Sequence, residues 1–148
     1  MPIPSFTRNG VLPEGVHVCT MEELRLRFGR FQDSDRRVDL FNRLEQLVAD
    51  LRKSGLFPAL VIDGSFVTTK PVPQDVDVIV VLPRNHNWSA DLNPADYVLV
   101  SRRALHRRFG FDVLLAADSN QAYKGYVEFF SRVCEDASIR KGMLRIEL

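Results

Sequence analysis

The chain has 148 residues, a formal net charge of +1 and 45% hydrophobic residues. This length fits one domain with its own core, and so small a net charge excludes a global field that would drive the protein onto nucleic acid or an anionic membrane. Cys19 and Cys134 lie outside CxxC and Cys/His spacing, which argues against a zinc site or a disulfide framework. Without a signal peptide or an apolar run of roughly 18 residues, we expect a cytosolic protein with no membrane partner.

The first third of the chain predicts an irregular arm followed by two helices. Residues 1–19 contain several prolines and glycines and are expected to form an irregular N-terminal arm. Residues 20–29 open with capping-box spacing, Thr-Met-Glu-Glu, and predict a short helix. Ser34 or Asp35 is a suitable cap for a longer helix that ends at Gly55. The apolar residues of this helix recur at helical spacing: Val38, Phe41, Leu44, Leu47, Val48 and Leu51.

Four further segments predict the strands of one sheet. Residues 56–62 and 111–116 are short apolar runs of the kind found in buried strands. Residues 75–82 alternate and are rich in valine, and residues 143–148 alternate and are expected to close one edge of the sheet. Helical segments separate most of these strands. We therefore predict a single α/β domain over residues 1–148, in which helices flank a small mixed sheet.

Two more helical segments are predicted in the second half of the chain. Asn93, followed by proline, is typical of an N-cap, and its helix is expected to end at Gly110, with a short strand at 97–100 as the alternative. Ser119 is the predicted cap of another helix that runs to about Glu135. The apolar residues of that helix recur at helical spacing and are predicted to lie in the core: Tyr123, Tyr126, Phe129, Phe130 and Val133.

Asp75 and Asp77 give the first functional signal. Side chains alternate along a strand, so both carboxylates lie on one face while the intervening valine faces the core. Like charges this close repel each other, and a divalent cation between them removes that cost. Magnesium usually takes one or two protein carboxylates and fills its other positions with water and substrate phosphates. The pair therefore predicts a Mg²⁺ or Mn²⁺ site, and the alternative is a turn in which both carboxylates are solvated.

Asp112 is the candidate for a third acidic ligand. It lies near the start of an apolar strand, where an unpaired charge is costly. A third carboxylate on a neighbouring strand suits a site with two metal ions, which promotes in-line displacement at phosphorus. A salt bridge from Asp112 to Arg107 or Arg108 is the alternative interpretation.

The turn Gly64-Ser65 is a candidate phosphate site, and nine residues separate it from Asp75. Glycine adopts a positive φ there without penalty, and the backbone N–H groups of such a turn can hold phosphate oxygens. Lys70 lies in the connection and can reach a phosphate as a point charge, with a solvated lysine as the alternative. Asp63 receives no role, because it can be structural or can add unwanted negative charge.

Two basic segments are candidates for anion binding. One predicted helix carries a cluster that suits the phosphates of a nucleic-acid acceptor, or else forms a solvated helix face: Arg102, Arg103, His106, Arg107 and Arg108. Arg140 and Lys141 form a smaller group near the end of the chain. They would contact a triphosphate if the last strand returned near the aspartates.

The pattern over residues 64–78 is Gly-Ser, nine residues, and then Asp-Val-Asp-Val. It resembles the signature of the DNA polymerase beta-like nucleotidyltransferase superfamily, in its minimal branch. Asp112 matches the third acidic residue of such enzymes by its place on a later strand. The resemblance implies a nucleotidyltransferase-like core in which Asp75, Asp77 and Asp112 bind Mg²⁺ or Mn²⁺.

The resemblance also implies an activity, the transfer of a nucleoside monophosphate such as AMP from a nucleoside triphosphate to a hydroxyl of a protein or RNA acceptor. Gly64 and Ser65 would hold the β- and γ-phosphates, and Asp112 would help to deprotonate the acceptor. Minimal members often act in toxin–antitoxin or phage-defence pairs, which implies a cognate toxin or antitoxin partner. The alternatives are a catalytically degenerate binding or antitoxin module and a nuclease with the same metal geometry.

Overall fold

A computed structural model describes residues 3–29, 35–87, 91–133 and 136–148. These residues form two sheets with helices packed against the larger one. The strands, in chain order, are β1 (Gly15–Cys19), β2 (Ala59–Asp63), β3 (Asp77–Leu82), β4 (Asp112–Ala117), β5 (Arg132–Val133), β6 (Asp136–Arg140) and β7 (Gly142–Glu147). The α-helices are α1 (Met21–Leu24), α2 (Asp35–Ser54), α3 (Pro94–Leu99), α4 (Arg102–Phe109) and α5 (Gln121–Phe130).

Local capping signals explain the boundaries of the first two helices. Thr20 and Glu23 form the predicted capping box, in which each side chain accepts a hydrogen bond from the other residue's amide. The helix then continues as a π-helical stretch, Arg25–Gly29. The predicted end of α2 is confirmed, because Gly55 follows it with φ of +72°. Ser34, one of the two predicted caps, lies outside the described residues.

The helices of the second half differ in part from the prediction. Asn93 caps α3 as expected, but the single helix predicted up to Gly110 is two helices, and Ser101 caps the second of them. The alternative strand at 97–100 is wrong, because α3 extends to Leu99. Asn120, not Ser119, caps α5, since its side chain accepts from the amide of Tyr123.

The larger sheet has the strand order β1-β7-β2-β3-β4. Strands β1 and β7 are parallel, as are β3 and β4, while β2 runs antiparallel to both of its neighbours. The prediction that the last strand closes an edge is wrong, because β7 lies between β1 and β2. The edge is formed instead by β1, which lies inside the segment predicted to be an irregular arm.

The smaller sheet pairs β5 with β6 and replaces the predicted end of α5. The helix stops at Phe130 and the chain enters β5 two residues later, so its predicted extension to about Glu135 is wrong over the described residues. The pairing of β5 with β6 brings the chain back toward β7 and places Lys141 immediately before that strand.

Two hydrophobic clusters hold the larger sheet between helices. One joins the apolar side of α2 to alternate strand residues such as Val78 and Val80, and Val76 is also buried there as predicted. The other joins Tyr123 and Phe130 of α5 to the opposite set of strand residues. The predicted α/β class is therefore confirmed. Within the described residues, the helices lack the combination of length and apolar character that a membrane crossing needs.

Candidate active site

Three aspartates lie side by side on neighbouring strands at one end of the larger sheet. Asp63 ends β2, Asp77 begins β3 and Asp112 begins β4, and the strand register pairs Asp63 with Asp77 and Asp77 with Asp112. Because alternate residues share a face, all three point toward the side of the sheet that α5 covers. We call these three residues the carboxylate row.

The members of the carboxylate row differ strongly in exposure. Asp63 is buried, with 1% of its surface exposed, whereas the side chain of Asp112 is 78% exposed. Asp77 lies between them and is partly buried. The row therefore runs from the protein interior to solvent. Sequence reasoning left Asp63 without a role, and the signal that would have found it is the antiparallel pairing of β2 with β3, which places it opposite Asp77.

Asp75 is held by the turn that precedes it in the chain. Its Oδ1 accepts hydrogen bonds from the Ser65 amide and the Ser65 hydroxyl, each at 2.9 Å. The same hydroxyl oxygen accepts from the amides of Gln74 and Asp75. The expectation that the Ser65 amide serves a phosphate therefore differs from the observed arrangement, in which that amide is bound to a carboxylate.

Gly64 lets the turn approach β3 closely. It has φ of +93°, which favours glycine, and a Cβ at this position would lie 2.9 Å from the Asp75 carbonyl oxygen and 3.0 Å from the Asp77 nitrogen. After it, Ser65–Val67 form a short 3₁₀ helix. Any side chain at residue 64 would push the turn away from the acidic residues.

The electrostatic environment of the row favours protonated or cation-bound carboxylates. The pKa of Asp77 is raised to about 7, first by burial and then by the charges of Asp75, Asp63 and Asp112. Burial also raises the pKa of Asp63 to about 6, although Lys141 opposes this, since its Nζ lies 3.3 Å from Asp63 Oδ2. A bound cation would relieve the repulsion that raises the pKa of Asp77.

A cleft of about 440 Å³, which we call the serine cleft, opens beside Asp77. Most of the residues predicted to bind nucleotide line it, together with the two acidic ones: Gly64, Ser65, Lys70, Asp75, Asp77 and Lys141. Arg140 has a different position, because its guanidinium donates to Glu128 at 2.9 Å and to the hydroxyl of Ser131 at 3.0 Å. Lys141 therefore lines the serine cleft, whereas the neighbouring Arg140 is bound to α5 and to the residue that follows it.

A second cleft of about 550 Å³, which we call the arginine cleft, lies on the other side of Asp77. Its lining includes Asp112 and three residues of the predicted basic cluster: Arg102, Arg103 and His106. The predicted alternative partners of Asp112 do not pair with it among the described residues. His106 lies beside it, with Nδ1 3.7 Å from Asp112 Oδ1 and 2.9 Å from the Phe111 carbonyl oxygen. Arg108 pairs instead with Asp50 at 2.7 Å.

Arg37 supports the serine cleft from behind, and sequence reasoning missed it. It is fully buried in α2, and its guanidinium donates to the carbonyl oxygens of Phe28, Phe66, Thr68 and Lys70. Burial lowers its pKa to about 10, so it remains charged at neutral pH. One cation thereby fixes the segment that follows the Gly64-Ser65 turn.

The carboxylate oxygens of this site are ligands of the type that Mg²⁺ prefers, although they do not form a complete coordination shell. No three acidic, histidine or cysteine side chains within the described residues form a ready-made metal-binding group. Mg²⁺ does not need one, because it usually takes one or two carboxylates and completes its shell with water and phosphate. Asp63 Oδ1 is buried and makes no hydrogen bond of normal geometry with a described residue, so this oxygen is an unsatisfied acceptor beside Asp77.

Comparison with known proteins gives a family and no activity. Residues 4–147 match the sequence model of DUF6932, described as a family of unknown function. No curated protein and no solved structure matches the chain. Any function therefore has to be argued from the site itself.

Proposed function

The chain belongs to DUF6932, and we propose that it is a metal-dependent nucleotidyltransferase that moves a nucleoside monophosphate, such as AMP, from a nucleoside triphosphate to a hydroxyl acceptor. The observation that carries this proposal is the place of Asp77. It lies between two other aspartates in direct strand register, and it lines both clefts. An acidic centre between two clefts suits a reaction that joins two substrates.

The serine cleft suits the triphosphate. Lys70 and Lys141 supply positive charge on its walls, while the amide and hydroxyl of Ser65 hold Asp75 in place beside them. Asp75 and Asp77 would hold Mg²⁺ or Mn²⁺, with Asp112 as a further ligand. When bound, the metal supplies positive charge that offsets the charge developing on the phosphates. Holding the reacting groups in line and stabilising their charge are the main sources of rate enhancement in such a transfer.

The arginine cleft suits the acceptor, because Asp112 is exposed there. In the proposed step the acceptor oxygen forms a bond to the α-phosphorus while the bond to the bridging oxygen breaks. Pyrophosphate leaves, and the hydroxyl proton passes to the Asp112 carboxylate. His106 Nδ1 donates to the Phe111 carbonyl oxygen at 2.9 Å, so this nitrogen does not take up the proton, and the ring lies beside Asp112 with Nδ1 3.7 Å from Oδ1.

One observation favours a second candidate, a degenerate module that binds a partner without turnover. Both hydrogen bonds from Ser65 go to Asp75, and Lys141 is already paired with Asp63. The chain thus compensates part of its own acidic charge without a bound metal ion. This module would bind neither metal nor triphosphate, so nucleotide binding separates the two candidates.

The test uses each α-labelled nucleoside triphosphate with Mg²⁺ or Mn²⁺ and a mixture of cellular protein and RNA. We expect label on one macromolecule and a loss of at least 100-fold in Asp77→Asn. Asp91→Asn is the matched control, because Asp91 is exposed and lines neither cleft. If calorimetry finds no triphosphate binding with either metal, the proposal is overturned in favour of the binding module. If the protein cleaves RNA without any triphosphate, the proposal is overturned in favour of a nuclease.

A further inference from the structure

We infer that the arginine cleft binds the 3′ end of a single-stranded RNA. This inference names the acceptor and so rests on the proposed function, although the binding can be measured without any transfer. It follows from three features of the cleft, which are its cationic wall, an exposed aromatic ring and its place beside Asp77 and Asp112.

The cationic wall comes from the first turns of α4. Arg102 donates through Nε to the Val113 carbonyl oxygen at 2.7 Å, which fixes its guanidinium against the start of β4. Arg103 is exposed and makes no ion pair with any described residue. Two guanidinium groups on one wall can each contact a phosphate, and Arg103 has no internal anion to lose when it does so.

The exposed ring is Phe129 of α5, which lines the same cleft. Its helical spacing predicts a core residue, but 65% of its surface is exposed, whereas the adjacent Phe130 is buried. The prediction that Phe129 lies in the core is therefore wrong. A solvent-exposed phenylalanine beside arginines matches the combination of stacking and phosphate contact that single-stranded nucleic acids use. An acidic peptide would form ion pairs with the arginines but would offer no planar base to stack on Phe129.

The position of the cleft selects the end of a strand over an internal segment. Asp77 and Asp112 line the cleft, and their charge repels a continuous phosphate backbone. At the 3′ end of a strand, the terminal ribose places hydroxyl groups near the carboxylates where an internal nucleotide would place a further phosphate. A strand whose last phosphates face Arg103 and whose last base faces Phe129 therefore presents its 3′ hydroxyl to the carboxylates.

The binding test is fluorescence anisotropy of a ten-nucleotide single-stranded RNA, labelled at its 5′ end, with the full chain in EDTA and in Mg²⁺. We expect Phe129→Ala to weaken binding about tenfold. Arg103→Gln should weaken it about fivefold at 50 mM salt and reduce the slope of log affinity against log salt by about 0.7. Tyr97→Ala is the matched control, since Tyr97 is also 65% exposed, and Arg52→Gln is the control for charge. Both controls should stay within twofold of the unchanged chain.

Three competitors complete the design: the same RNA with a 3′-terminal phosphate, a duplex of equal length and a ten-residue polyglutamate. We expect each to bind more weakly than the free single strand. Equal binding of the first overturns the preference for a 3′ hydroxyl, and tighter binding of polyglutamate overturns RNA in favour of a protein acceptor. Unchanged affinity in folded Phe129→Ala and Arg103→Gln overturns the site. RNA binding without label transfer would count against the transferase alone, and label transfer without RNA binding would count against this inference alone.

Discussion

At the scale of single residues, Asp77 holds a charge that the fold makes costly. Burial and three neighbouring carboxylates raise its pKa from 3.8 to about 7. The folded protein therefore holds this proton more tightly than the unfolded chain does. Below about pH 4 Asp77 is protonated in both the folded and the unfolded state, so its burial does not reduce the free energy of unfolding. As the pH rises from 4 to 7 the unfolded chain ionises more readily, and the free energy of unfolding falls.

Asp77→Asn removes the ionisable group and therefore the fall in the free energy of unfolding that Asp77 causes as the pH rises. Since Asp77 is only partly buried and solvent screens its charge, we expect the variant to be more stable than the unchanged chain by about 1–2 kcal/mol at pH 8, and equally stable at pH 4. Urea denaturation between these pH values, without divalent metal, measures the difference. Asp91→Asn keeps Asp77, so its free energy of unfolding should follow that of the unchanged chain at both pH values. Equal stability of Asp77→Asn and the unchanged chain at pH 8 would contradict the electrostatic account of the row.

At the scale of elements, α2 positions the serine cleft through one buried side chain. Arg37 satisfies four backbone carbonyl oxygens, one in the π-helical stretch and three in the segment at 66–70. The rings of Phe28 and Phe66 lie within 6 Å of its guanidinium carbon. Outside the sheet ladders, this segment is also held by a single antiparallel bridge between Thr68 and Val11 and by a hydrogen bond from the Thr69 amide to the Gly10 carbonyl oxygen. Arg37 adds three hydrogen bonds to it from a helix 29 to 33 residues earlier in the chain.

Arg37→Met keeps an apolar stem and removes the donors, which leaves buried carbonyl oxygens unsatisfied. We expect the free energy of unfolding to fall by about 3 kcal/mol, and amide hydrogen exchange at residues 66–70 to accelerate more than exchange in β3. Arg52→Met, an exposed position on the same helix, should change stability by less than about 0.5 kcal/mol. Uniform acceleration of exchange across the whole chain would show that Arg37 does not act on this segment in particular.

How much of these elements the sequence predicts depends on how local their causes are. Thr20 and Asn93 signal helix starts with side chains that bond within three residues, so both starts are predictable. Strand β1 is not predictable, because its partner β7 lies far along the chain. The β5–β6 pairing is not predictable either, because no recognisable turn motif joins the two strands. The candidate site divides in the same way. Asp75 and Asp77 are visible as a spacing, whereas the roles of Asp63 and Arg37 depend on a strand register and a long-range contact.

At the scale of the whole molecule, the N-terminal segment completes the sheet and helps to place Lys141. Strand β1 pairs with β7 along its full length, and the amide of Gly142 donates to the Leu12 carbonyl oxygen at 2.9 Å. Lys141 immediately precedes this contact and pairs with Asp63. The docking of the first strand on the last therefore connects the edge of the sheet to the serine cleft.

Gly142 is the point at which this docking can be tested. A Cβ there would lie 1.9 Å from the Pro13 carbonyl oxygen, so alanine forces the two backbones apart. We expect Gly142→Ala to lower the free energy of unfolding by about 2–3 kcal/mol and to increase proteolysis before β1. Gly125→Ala is the matched control, because a Cβ inside α5 meets nothing within 4 Å and should add about 0.5–1 kcal/mol. Equal effects of the two substitutions would show that β1 is not held against β7 at this point, and Lys141 would then owe its position to the pair with Asp63 alone.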